Sequence, residues 1–345
     1  MKENYKNIHK ILDKTILAPR AFVDSLNGDG FELTKLFKKL QKSIDLNYPK
    51  KLYKYRQYND NSVQALINDE IYLSRADYFN DPYDCLIYFD KDDILKNVRR
   101  SISHKKVVSY IKSRYPDLPP DKIADFMDGF IKNKDDFLQK VEHCLSDVPQ
   151  LHQKNMFVSC FSETITSPLM WSHYSDNHNG FAIEYQFGKN YFCPVPYLVN
   201  DDSNWHGFRS LLPVDYSESK KDATHLADWY AISLINEENG LYENMDWSLT
   251  IGDLLLPTKL ALCKSKDWSY EKEWRLIISR EWPMTITDKY CSVKQKPSAI
   301  YIGERMDVQK KTNLIKIANE KGIPAYEMYS DYSEKNFDMK IRKYN

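Results

Sequence analysis

Trp268-Ser269-Tyr270-Glu271-Lys272-Glu273-Trp274-Arg275 runs without a break into Leu276-Ile277-Ile278. Its aromatic and β-branched bias predicts a strand. Alternate side chains of a strand share a face. Glu271, Glu273 and Arg275 are therefore expected on one side, with Lys272, Trp274, Leu276 and Ile278 on the other. Two carboxylates and a guanidinium beside an apolar strand are costly to bury unless each is paired. Two readings stand. The charges face water as ion pairs of small energetic weight, or they wall an active site, where perturbed charges gather. The recurrence of similar polar clusters elsewhere in the chain favours the second.

Working outward, Ala299-Ile300-Tyr301-Ile302-Gly303 reads as a strand, followed by a helix over about 308–321. Strands are expected at Ala325-Tyr326-Glu327-Met328 and near Met339-Lys340-Ile341. On the N-terminal side lie a helical block at about 223–262 and a variable stretch at 188–222. Before these come a strand at Gly180-Phe181-Ala182-Ile183-Glu184-Tyr185, a short helix at Pro168-Leu169-Met170-Trp171-Ser172-His173-Tyr174, and a strand at Phe157-Val158-Ser159-Cys160-Phe161-Ser162. A charged helical block spans about 92–146. Leu52-Tyr53-Lys54-Tyr55-Arg56 and Glu70-Ile71-Tyr72-Leu73-Ser74 read as strands around a helix at about 61–68. Helical spacing marks residues 1–47 (Ile8, Ile11, Leu12; Leu33, Leu36, Phe37, Leu40), with a break at Asn27-Gly28-Asp29-Gly30.

Irregularly spaced strands and clustered helices predict an α+β protein with a mixed, largely antiparallel sheet, a helical N-terminal segment and helical insertions. The expected organisation is a helical segment at 1–50 and a single α+β domain at 51–345. No Gly-x-Gly-x-x-Gly follows a strand and no Walker loop is present, so a dinucleotide fold of the doubly wound type has no support.

The chain of 345 residues is 42% hydrophobic, enough for a large core. Basic and acidic residues number 49 each, giving a formal net charge of zero. A general nucleic-acid-binding surface is thus not advertised, and a local basic patch stays open. No run approaches the roughly 20 apolar residues that span a bilayer, so no membrane partner is expected. The polar start, Met1-Lys2-Glu3-Asn4, lacks the apolar core of a secretory signal. Six scattered cysteines without a Cys-x-x-Cys point to reduced thiols in a cytoplasmic protein.

Several polar residues stand out. Arg56 ends an aromatic strand; facing inward it offers a rigid fork for phosphate or carboxylate, and facing outward a solvated edge. Asn80-Asp81-Pro82-Tyr83-Asp84 is an Asx-type turn or a loop that carries its carboxylates into a cleft. Ser159 and Ser162 flank Cys160, without the Gly-x-Ser-x-Gly elbow of a hydrolase. Trp171, His173 and Tyr174 form an aromatic-polar knot, read as core packing or as a stacking platform for a planar ring. His173 and His178, five apart, do not share a helical face, so a metal site there is poorly supported.

Taken in order, Tyr53-Lys54-Tyr55-Arg56, Phe79-Asn80-Asp81-Pro82-Tyr83-Asp84, Met170-Trp171-Ser172-His173-Tyr174 with Gly180-Phe181-Ala182-Ile183-Glu184, and Trp268 to Arg275 resemble the bacterial domain-of-unknown-function family 2971, over roughly residues 52–305. That family implies no settled reaction. A more distant likeness is to the arginine–serine–glutamate layout of ADP-ribosyltransferases. It implies NAD as substrate, with Arg56 on its phosphates and Ser159 or Ser162 supporting the nicotinamide-ribose pocket. Glu273 would stabilise the oxocarbenium-like centre and Glu271 orient the acceptor, a protein or nucleic acid. Asn80, Asp81, Trp171, His173, Tyr174 and Arg275 complete the expected binding set. The serine-threonine-serine triplet of that layout is missing here. The expectation is an NAD-consuming transferase or glycohydrolase, a toxin or phage-defence effector. The alternatives are a metal-dependent hydrolase or nuclease using Asp81, Asp84, Glu271 and Glu273, and a non-enzymatic ligand-sensing module.

Overall fold

The computed structural model describes residues 3–15, 35–101, 105, 108–109, 112, 119–132, 134–188, 207–228, 253, 255–280, 289–333 and 335–344. The break expected at Asn27–Gly30 lies outside them, as do residues 229–252 of the helical block expected at 223–262.

Among the described residues two helices open the chain, α1 (Glu3–Lys14) and α2 (Lys35–Asn47). Tyr5, Ile8, Ile11 and Leu12 of α1 recur at helical spacing, and all four are buried in the main core with Leu40 and Ile44 of α2. The N-terminal segment thus packs on the sheet; the Tyr5 ring meets Trp274 edge-on at 5.4 Å. Next come β1 (Leu52–Arg56), α3 (Asp60–Ile67) and β2 (Glu70–Arg75). Asn59 caps α3, its side chain accepting from the Ser62 amide at 2.9 Å. A 3₁₀ turn at Ala76–Tyr78 follows, and then the helices α4 (Lys91–Ser101), α5 (Pro120–Lys132) and α6 (Lys134–Lys154), where a helical insertion is expected.

The chain continues through β3 (Met156–Ser162), α7 (Pro168–Tyr174), β4 (Phe181–Tyr185), β5 (Gly207–Pro213), β6 (Asp215–Ser217), α8 (Leu256–Ala261) and β7 (Cys263–Ser265), where β6 and β7 pair in parallel as a separate two-stranded sheet. After a 3₁₀ turn at Lys266–Glu271 come β8 (Glu273–Arg280), β9 (Tyr290–Lys294), β10 (Ala299–Ile302), α9 (Val308–Lys321), β11 (Ala325–Tyr329) and β12 (Lys340–Lys343). Among the described residues ten strands form one sheet, in the order β12-β11-β10-β4-β1-β3-β2-β9, with β8 and β5 joined through β3. Its strand pairs are antiparallel except β10–β11, which α9 connects. The α+β architecture with a mostly antiparallel sheet, N-terminal helices and helical insertions is therefore as the sequence leads one to expect. Among the described residues no helix is long and apolar enough to cross a membrane.

The pairing of β3 is unusual. One edge is matched along its whole length by β8, from Met156↔Ser279 to Ser162↔Glu273. The other edge is shared: β1 meets it only at Tyr53↔Ser162, and β2 only at Ser74↔Val158 and Arg75↔Phe157. Between those contacts the edge at Ser159, Cys160 and Phe161 has no strand partner among the described residues, and the sheet forks.

Two expectations need correction. The segment 268–272 is not strand: Lys266–Glu271 is a 3₁₀ turn capped by Ser265, and Lys272 takes a left-handed conformation with φ 47°. The Ser265 side chain accepts from the Asp267 amide and starts the turn locally. Glu271 and Glu273 therefore do not alternate along one strand; the turn brings Glu271 to Glu273 from the side. The stretches that became β5, β6, β7 and β9 carry no strand expectation. Two of them are three residues long, and Tyr290-Cys291-Ser292-Val293-Lys294 is a half-polar edge.

After α7 the chain reverses through Asp176, Asn177 and His178, all at positive φ (49°, 50° and 70°). This tight reversal brings Gly180 against β1. A Cβ there would lie 2.2 Å from the Arg56 carbonyl oxygen and 2.9 Å from the Ser175 Cα. Both obstacles are backbone. Gly180→Ala is expected to cost about 1–3 kcal/mol, read as a lowered midpoint in thermal unfolding. An unchanged midpoint would show that β1 is free to shift.

Candidate active site

A cavity of about 590 Å³ occupies the fork, with walls from β1, β2, β3, α3 and the turn before β8. Residues directly opposed in a sheet share a face. Tyr53 opposes Ser162, which opposes Glu273, so these three face one way. Lys54 and Arg56 oppose Ile183 and Phe181 of β4 and face the other way. The gap beside Ser159–Phe161 lets both sets reach the same space.

One wall is cationic. Lys54 is buried at 8% exposure, and its ammonium donates to Ser159 Oγ at 2.5 Å and to the Cys160 carbonyl at 3.4 Å. Arg56 is half-buried beside it. Burial, and then the neighbouring Arg56 charge, pull Lys54 well below the ordinary lysine range, while burial lowers Arg56. Among the described residues neither forms an ion pair with a carboxylate. Asn61 and Ser62, in the first turn of α3, complete this wall.

The opposite wall is a buried ionic network. Lys264 of β7 donates to Glu271 Oε2 at 2.6 Å and Glu273 Oε2 at 2.9 Å, with Asp84 Oδ2 at 3.5 Å. Arg275 is fully buried behind it. Its Nε donates to Glu273 Oε1 at 2.7 Å, its Nη2 to Asp84 Oδ2 at 2.7 Å, and its Nη1 to the Ala261 carbonyl at 2.6 Å. Such a cluster is tolerable only because every charge is answered.

The two glutamates differ. Burial opposes ionisation of Glu273, but the charges of Arg275 and Lys264 outweigh it and hold the carboxyl well below its usual range. Burial, and then the Glu273 charge, push Glu271 up to about 7. The Tyr174 hydroxyl donates to Glu271 Oε1, and the Ser162 hydroxyl donates to the Glu271 carbonyl at 2.6 Å. Glu273 is thus a fixed negative charge, and Glu271 is poised to take up and release a proton near neutrality.

Of the residues expected to form a site, Arg56, Asn80, Ser162, Tyr174, Glu271 and Glu273 line this one cavity. Ser159 is buried and touches it through Lys54. Arg275 sits behind Glu273 and makes no wall. Trp171 is no stacking platform. It is fully buried in a second core with Tyr55, Met170 and Met328, and its Nε1 donates to the Ile165 carbonyl at 2.7 Å. His173 is exposed outside the cavity, tilted against Tyr270 at 6.2 Å. Asp81 makes the Asx-turn contact, accepting from the Tyr83 amide at 2.9 Å, and lines a separate cleft of about 390 Å³. Lys264 and Lys54 escaped the sequence reading as site residues. Lys264 lies in a three-residue strand with no local signal, whereas the shared face of Lys54 and Arg56 was a usable hint.

Among the described residues no group of three or more His, Cys, Asp or Glu side chains is placed to hold a metal ion. No curated protein and no solved structure matches the chain. The resemblance read over residues 52–305 is met over a shorter span, which includes Tyr174, Lys264, Glu271, Glu273 and Arg275 but neither β1 nor β2. Over residues 170–276 the chain matches the family model described as protein of unknown function DUF2971.

Proposed function

We propose that the cavity binds NAD and that the protein is an NAD-consuming enzyme, an ADP-ribosyltransferase or an NAD glycohydrolase. The observation that carries this reading is the pair Lys54 and Arg56. Among the described residues these two cations have no carboxylate partner, and they face a cavity whose other wall holds Glu271 and Glu273. Cations left unpaired in a low-dielectric wall favour an anionic ligand, and the Arg56 guanidinium suits a phosphate. The cavity volume of about 590 Å³ is within the range for small-molecule sites.

In the proposed reaction the bond between ribose C1′ and the nicotinamide nitrogen breaks. Its electron pair stays with that nitrogen and neutralises the pyridinium charge. Positive charge develops at C1′, where the fixed Glu273 carboxylate is worth several kcal/mol in a dry site. A water or acceptor hydroxyl forms the new C1′–O bond and gives its proton to Glu271. The products are nicotinamide and ADP-ribose, free or attached to the acceptor. A metal-dependent hydrolase on Asp81, Asp84, Glu271 and Glu273 has less support. Asp81 lies outside the cavity, and Lys264 and Arg275 already occupy oxygens of the other three.

The test is nicotinamide release from NAD by the purified protein, followed chromatographically, with NAD binding measured by calorimetry. Arg56→Met and Lys54→Met are each expected to weaken binding roughly tenfold or more, since a hydrogen bond to a charged group is worth about 1.5–3 kcal/mol. Binding without any nicotinamide release would leave a ligand-sensing module. Undiminished binding by Arg56→Met would remove the basis of the reading.

A further inference from the structure

The end of the cavity away from the glutamates has a different chemistry. Tyr72 of β2 and Tyr290 of β9 face the same side of the sheet, because Ser74 opposes Tyr290 and Tyr72 opposes Ser292. Their rings meet edge-on at 5.4 Å. Tyr78 enters the same lobe from the turn after β2, whereas the Phe79 ring lies nearer the carboxylates, 6.0 Å from the Arg275 guanidinium. Tyr78 and Tyr290 are 51% and 62% exposed, so the core does not account for them. The Lys289 ammonium stands 5.8 Å from the Tyr78 ring. Ser74 of β2 adds a hydroxyl to this lobe, and Asn80 lines the same cavity with its amide.

The register of β3 puts these chemistries in order. Glu273 is opposite Ser162, Lys54 contacts Ser159 and Cys160, and β2 joins at Val158. From Ser162 to Val158 is four residues, about 13 Å at strand rise. Carboxylates, cations and aromatic rings thus follow one another along one strand.

We propose that Tyr72, Tyr78 and Tyr290 form a nucleobase subsite of the same cavity. The ligand is then a nucleotide that carries a second sugar beyond its phosphate and lies along β3, with its base at the aromatic end, its phosphate on Lys54 and Arg56, and that second sugar at Glu271 and Glu273. Stacking suits this lobe because every base has a π-face, and Asn80 supplies both a donor and an acceptor to a base edge. The inference rests on the anion wall of the proposed function but not on NAD cleavage.

Calorimetric titrations of the full chain with AMP, ribose 5-phosphate and inorganic phosphate test it. AMP is expected to bind roughly tenfold more tightly than ribose 5-phosphate. Tyr290→Ala, a change at an exposed ring, is expected to bring AMP to the ribose 5-phosphate level and leave ribose 5-phosphate unchanged. Equal affinities for the two in the wild type, failure of AMP to bind, or an equal loss for both in Tyr290→Ala overturns the subsite. If AMP is discriminated but NAD is not cleaved, the subsite stands and the cleavage reading falls. If nicotinamide is released without AMP discrimination, the reverse holds.

Discussion

Arg275→Met is expected to destabilise the folded protein by about 3–5 kcal/mol, the usual effect of removing one partner from a buried ion cluster. The guanidinium is fully buried, and its loss takes the principal donor from three acceptors: Glu273 Oε1, Asp84 Oδ2 and the Ala261 carbonyl. Lys264 would be left facing three carboxylates alone. Urea unfolding measures the effect. Lys266→Ala breaks the exposed pair with Glu218 and serves as the contrast, with an expected change below about 1 kcal/mol. A difference between the two variants of less than 1 kcal/mol would mean that the network contributes little and that the fold is held by its apolar core.

Glu271→Gln is expected to lower nicotinamide release by roughly 10²–10⁴-fold, the range for losing a general base, while the protein still folds. The wild-type rate should rise with pH through about 7 and level off above it, because only the ionised carboxyl takes the proton. In the variant that limb disappears. Stability runs the other way. Burial and the Glu273 charge raise Glu271 from 4.5 to about 7, so the folded protein holds this proton more tightly than the unfolded chain does. The stabilisation is complete below pH 4.5 and is lost as pH climbs toward 7. Glutamine carries no such proton, so the variant should lack this part of the pH slope in its unfolding midpoint. A full rate in Glu271→Gln, or an unaltered pH profile, would take the base role away from Glu271.

Much of the sheet was legible because its strands carry their own pattern. Phe157 to Ser162, Phe181 to Tyr185 and Ala299 to Ile302 are runs of β-branched and aromatic residues between turn signals. Gly207 to Pro213 was not legible, since it is a strand only because β8 pairs with it residue for residue. The site was partly legible for a related reason. Polar residues on apolar strands, such as Arg56 and Glu273, announce themselves. Residues on the seven-residue helix α7 do not, because neighbours on a helix diverge by 100° each. Trp171 and Tyr174, three apart, share a face, and the first fills the core while the second reaches Glu271. His173, between them, points outward to Tyr270. Lys264 became visible only through its long-range partners, which no local window contains.

The fork at β3 divides the labour of the cavity between two wings. The cations ride on β1, the tyrosines on β2, β9 and the turn after β2, and a single strand is the spine they share. The spacing between the wings is therefore set by three residues of unmatched strand edge rather than by a continuous ladder. A guest long enough to straddle that slot would act as the missing rung and brace both wings at once. A shorter guest, held by one wing only, would gain no such grip, so the sheet itself measures the length of what it admits.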